Sequence, residues 1–155
     1  MLYWTIILFI VFVTYTTFIV VRYGLLHSIS MSYYKLREDD LGMLFYVFCF
    51  ALALPLFSIF AATQQTVWVV ASFGFMLVGS ASKFFDKHTD LAHYIGAGLG
   101  IVMCFIGLYL SWGQVIPSII MVVAGAVCLK STRPIWWIEI AAFVIIITGL
   151  TVASL

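Results

Sequence analysis

The side chains best able to do chemistry are crowded into one short stretch of this sequence. Phe85-Asp86-Lys87-His88-Thr89-Asp90-Leu91-Ala92-His93 holds two of the three histidines and two of the six acidic residues. If a helix begins near Asp86, then Asp86, Asp90 and His93 stand at i, i+4 and i+7 and share one face. Carboxylates and imidazoles on one face suit zinc or another divalent metal. The same groups can hold a water between an acid and a base. The third histidine, His27, lies beside Ser28 in Gly24-Leu25-Leu26-His27-Ser28-Ile29-Ser30-Met31-Ser32-Tyr33-Tyr34. On this reading His93, His88 and His27 are candidate metal ligands, and Asp86, Asp90 and Ser28 orient them or activate water. A plainer reading competes with it. Asp86 and Asp90 can cap a helix N-terminus, Lys83 and Lys87 can pair with them, and His93 can bond a carbonyl.

What positions these residues follows from composition. The chain of 155 residues is 65% hydrophobic and 8% charged, against about 45–50% and about 25% in soluble domains. So few charges cannot cover a water-facing surface, and most of the surface must face lipid. A membrane span needs about 20 mostly apolar residues. Six stretches qualify, at 2–21, 41–62, 67–85, 91–110, 114–129 and 135–155. They must be helices, because each span has to satisfy its own backbone and none alternates as a barrel strand does. The expectation is one all-α polytopic bundle over residues 1–155. The stretch 2–21 reads as a span and not as a cleavable leader, since no basic region precedes it.

Orientation comes from the basic residues. Arg22, Lys35 and Arg37 fall in the first connection, Lys83 and Lys87 in the third, and Lys130 and Arg133 in the fifth, which accounts for all seven. Cytoplasmic loops are the ones enriched in Lys and Arg. Both termini are therefore expected outside the cytoplasm, in a multi-pass protein of the cell membrane, here read as a bacterial inner membrane. Tyr3, Trp4, Trp68 and Trp112 are expected to mark the outer interface, and Tyr33, Tyr34, Trp136 and Trp137 the inner one. Gly96 and Gly100 form a GxxxG spacing that favours close helix approach, and a homo-oligomer through that face is one use of it. Pro55 is expected to kink the second span. Cys49, Cys104 and Cys128 read as small apolar residues without ligand spacing. A net charge of +1 with no basic face argues against nucleic acid; membrane lipids are the expected surroundings.

The costly groups gather on the predicted cytoplasmic face. His27, Asp39, Asp40, Asp86, His88, Asp90, His93 and Glu139 all map there. Glu139 lies one turn into the last span, where it can pair with Arg133 or Lys130 or join the histidines. The segment from Gly24 to Tyr34 is too apolar for a free linker and too short to span, which suggests an interfacial or re-entrant segment.

With its first span, Ser-Ile-Ser, Tyr-Tyr pair and a later span opening with Asp and His, the chain resembles a group of small bacterial membrane proteins. Those proteins, of unknown function, border the superfamily of alkaline ceramidases and progestin and adiponectin receptors. The resemblance implies a zinc site near one membrane face and hydrolysis of lipid amides. It gives Thr89 the place of a hydroxyl residue one turn before His93, and Asp86 or Asp90 that of the nearby acid. The superfamily also carries a His-x-x-x-His in a late span, whereas this chain has no histidine after His93. The function expected is a metal-dependent, hydrolase-like site at the cytoplasmic interface. A non-catalytic scaffold or bilayer modulator, and a small transporter or channel subunit, are the alternatives.

Overall fold

The computed structural model describes residues 1–82 and 89–155, and over these it contains helices and no strands. Seven helices follow in order: α1 Leu2–Tyr23, α2 Ser32–Glu38, α3 Met43–Thr63, α4 Val67–Ser80, α5 Asp90–Trp112, α6 Ile116–Cys128 and α7 Pro134–Ser154. Local chemistry sets many of the ends. Gly113 closes α5 with φ 66° and Gln64 closes α3 with φ 57°, both left-handed, so the helix cannot continue. Pro117 and Pro134 sit in the first turns of α6 and α7, where a missing N–H costs nothing.

Four helices, α1, α3, α5 and α7, are long and apolar enough to cross a membrane. At 1.5 Å per residue they measure roughly 31–35 Å, against a hydrocarbon core of about 30 Å. α4 and α6 are apolar but only 14 and 13 residues long. The fourth apolar stretch begins as a helix at Asp90 in the described residues; Asp86 and His88 lie outside them. The shared face of Asp86, Asp90 and His93 is thus described only for Asp90 and His93.

Five helices close a ring: α1 packs on α3, α3 on α4, α4 on α5, α5 on α7, and α7 back on α1. Phenylalanines fill its middle, with Phe143 stacked on Phe12 at 4.7 Å between centroids and tilted against Phe75 at 5.5 Å. α6 stands outside the ring, mainly against α7, and only Pro117 of it is buried. The tightest contact is between α4 and α5. A Cβ on Gly74 would come within 2.8 Å of the Gly100 Cα and the Gly96 carbonyl oxygen. The GxxxG face therefore meets α4 of the same chain.

Three expectations fail on burial. Trp68, Trp136 and Tyr33 are core residues, not interface belts, at 0%, 1% and 3% exposed. Trp68 is buried because Gly107 makes room for its indole, whose N–H donates to Ser111 Oγ at 3.0 Å. Trp136, whose backbone N–H bonds the connection between α1 and α3, is buried, while neighbouring Trp137 is exposed. That connection is no free loop: Ser28, Ile29, Ser30, Ser32, Tyr33 and Leu36 are all buried.

Gly74→Ala is expected to destabilise the protein by about 1–3 kcal/mol, because the added carbon meets backbone that cannot step aside. Gly98→Ala, with nothing within 4 Å of the new carbon, is expected to be neutral or stabilising by up to about 1 kcal/mol. Unfolding of the purified protein in detergent, followed for both variants, checks the pair.

Candidate functional site

The connection of residues 24–42 forms a strap across one end of the ring. It leaves α1 through Gly24, whose φ of 74° suits a residue without a Cβ. Its far end is tied back to α1 at Asp39. Arg22 Nε and Nη2 donate to Asp39 Oδ2 at 2.9 and 2.7 Å, and the Tyr23 hydroxyl donates to the same oxygen at 2.7 Å. The Tyr23 hydroxyl first, then the Arg22 guanidinium, hold the Asp39 carboxyl below the usual carboxylate range. This clamp is largely exposed, so it steers the strap more than it stabilises it.

Inside the strap the serines replace missing backbone partners. Ser28 Oγ accepts the Met31 N–H at 3.2 Å. The Ser32 hydroxyl donates to the Ile29 carbonyl at 2.6 Å and accepts from the Tyr15 hydroxyl at 2.5 Å. Such side-chain bonds are what serine offers where neither helix nor water is available.

The strap and the start of α7 exchange bonds. Trp136 N–H, one of the first-turn donors that no helix can satisfy internally, donates to the His27 carbonyl at 3.0 Å. Glu139 Oε2, one turn further on, accepts the Ile29 N–H at 2.5 Å. The last helix thus gives one bond to the strap and takes one from it.

A second seam joins the strap to α4 and α5. His93, in the first turn of α5, is 3% exposed. Its Nδ1 lies 3.2 Å from the Ala81 carbonyl, and its Nε2 lies 3.1 Å from Ser30 Oγ. A carbonyl can only accept, so Nδ1 carries the proton, and in the neutral ring Nε2 accepts the Ser30 hydroxyl proton. This is the geometry of a hydroxyl beside a base whose tautomer a third group fixes. His93 can take a proton from Ser30, or from a water in its place, and return it later.

The described members of the sequence-predicted set take different roles. His93 sits in the seam, but its hydroxyl partner is Ser30 and not Ser28, which serves a turn. His27 is exposed and contributes its carbonyl. Asp90 is half-buried and accepts the N–H of Leu91 with Oδ1. Asp86 and His88 fall outside the described residues. Among the described residues, no three His, Cys, Asp or Glu side chains gather in a way that could hold a metal. His93 as placed offers zinc no ring nitrogen: Nδ1 is turned to a carbonyl, and a metal on Nε2 would have to displace Ser30. Glu139 pairs with neither Arg133 nor Lys130 but with a backbone amide 110 residues earlier. The sequence singles out neither Ser30 among the serines of this segment nor the Ala81 carbonyl. The only signal for Ser30 was its place in Ser-Ile-Ser within an unusually apolar connection.

No family model, no curated protein and no solved structure matches the chain.

Glu139→Leu leaves the buried Ile29 N–H without an acceptor and is expected to destabilise by about 1–3 kcal/mol. Glu139→Gln keeps an acceptor oxygen and is expected to cost less than half as much. Chemical or thermal unfolding of both variants decides whether the bond to the strap or the charge of Glu139 matters.

Proposed function

We propose that this chain crosses a cell membrane six times with both termini outside the cytoplasm, and that Ser30, His93 and Glu139 form a hydrolase-like acid–base site at its cytoplasmic end. Two sets of contacts support the six crossings. The end of α1, the end of α4 and the starts of α5 and α7 meet around the strap. Trp68 of α4 meets Ser111 of α5, and Gln114, just past α5, donates to the Gly149 carbonyl of α7 at 3.2 Å. These two sets lie at opposite ends of the helices concerned, so successive helices run in alternate directions. The strap end also carries Arg22, Lys35, Arg37, Lys130 and Arg133, which supports its assignment to the cytoplasm and the protein to a bacterial inner membrane. α4 and α6 then cross as short helices, α4 inside the ring and α6 beside it.

The observation that carries the activity is the Ser30 Oγ to His93 Nε2 distance of 3.1 Å, with Nδ1 held by Ala81. It lies within the roughly 2.6–3.2 Å that a base needs to take a proton. A site at this depth suits a carbonyl near the headgroups, as in a lipid amide or ester. His93 acts as the base, Ser30 supplies or positions the attacking oxygen, and Glu139 holds the strap in register. The proposal needs no metal at His93. A scaffold without catalysis is the second reading, favoured by one fact: the strap, His93 and Glu139 satisfy one another's hydrogen bonds as a purely structural seam would. Transport has less support, since the buried hydroxyls of Thr16 and Ser72 bond carbonyls of their own helices at 2.7 and 2.8 Å.

Two experiments test this. In a variant without native cysteines, Thr66→Cys is expected to react with an impermeant maleimide on intact cells and Ser131→Cys only after lysis; the reverse pattern overturns the orientation. The purified protein in lipid vesicles is then assayed on lipid amides and esters. His93→Ala is expected to lower turnover by about 10²–10⁴-fold. Elemental analysis of the same samples shows whether zinc is present and whether His93→Ala removes it. Absence of turnover on every substrate favours the scaffold; zinc lost with His93 restores the metal-dependent version.

A further inference from the structure

Within the ring, directly beneath the strap, lies a cavity of about 40 Å³. Most of its wall is apolar, including Phe48, Phe75, Val78 and Phe143, but Ser30 and Glu139 also face it. The polar pair is not fully satisfied by the protein. Glu139 Oε2 takes the Ile29 N–H, while among the described residues Oε1 accepts no hydrogen bond. Ser30 directs its proton to His93, which leaves its oxygen able to accept a further hydrogen bond. The space suits roughly one or two water molecules, since a water occupies about 30 Å³ and needs polar partners to stay.

We propose that this cavity is a water-binding site, and that a water there donates one hydrogen to Ser30 Oγ and the other to Glu139 Oε1. The bound water joins two seams that the protein alone leaves separate. One hydrogen-bonded chain then runs from the Ala81 carbonyl through His93, Ser30, the water and Glu139 to the Ile29 amide. The site follows from the cavity and its two polar walls, and it stands whether or not the protein is catalytic. If the protein hydrolyses a substrate, this water lies one hydrogen bond from the Ser30–His93 pair.

The test uses the sign of a cavity-filling effect in the full-length protein. Val78→Ile pushes one more carbon into the cavity. In a dry apolar cavity that carbon gains contacts and raises the thermal midpoint. In a wet one it expels the water, strands the Glu139 oxygen and lowers the midpoint by several degrees, which is the expected result. In a Glu139→Leu background no oxygen remains to be stranded, and Val78→Ile is expected to be neutral or stabilising. A rise in the native background overturns the proposal. An equal fall in both backgrounds does so too, because it identifies overpacking. Should a variant fail to fold, a wild-type structure at a resolution that shows ordered water decides: density between Ser30 Oγ and Glu139 Oε1 is expected, and its absence with both side chains ordered overturns the site.

Discussion

A backbone amide buried away from water must find its partner in the protein, and this constraint organises the strap end of the molecule. The strap is irregular from Gly24 to Met31 and yet buried from Ser28 to Ser30. Buried irregular backbone is tolerated where the protein supplies hydrogen-bond partners. Here the partners are the Glu139 carboxylate, the Ser28 and Ser32 hydroxyls, and a first-turn amide of α7. Remove that set and neither the buried path of the strap nor the position of Ser30 against His93 has a cause.

The ring of α1, α3, α4, α5 and α7 supplies the other half of the arrangement. Glycines let α4 and α5 approach until their backbones touch, which brings the end of α4 and the start of α5 side by side. Ala81 and His93 meet for that reason. α1 and α7, the first and last long helices, close the ring and bring Tyr15 and Glu139 to the same strap. Helix packing alone thus delivers four distant segments to one place.

Long apolar runs made the four long helices legible, and the alternation of basic connections made the strap end recognisable as distinct. Residue type also marks helix ends at Pro134 and Gly113. The bonds of the site were not. His93 and Glu139 stood out as ionisable groups near lipid, but the partner of one is a serine 63 residues away and that of the other a backbone amide 110 residues away. A backbone amide leaves no trace in residue type, so no spacing rule could have found it. Ser28 and Ser30 are chemically alike, and only the path of the strap decides which meets His93. Trp68 and Trp136 misled because tryptophan is equally at home at an interface and in a core with a glycine opposite.

The closure of the strap also has a place in time. A chain emerges from the ribosome N-terminus first, at about 5–20 residues per second. Ile29 therefore waits for Glu139, 110 residues behind it, for on the order of ten seconds. Through that interval the strap has Tyr15 for Ser32 but neither the carboxylate nor the amide of α7, and its bare backbone must stay in contact with water. The strap can therefore close only after α7 has been made, and the site forms no earlier than that helix does.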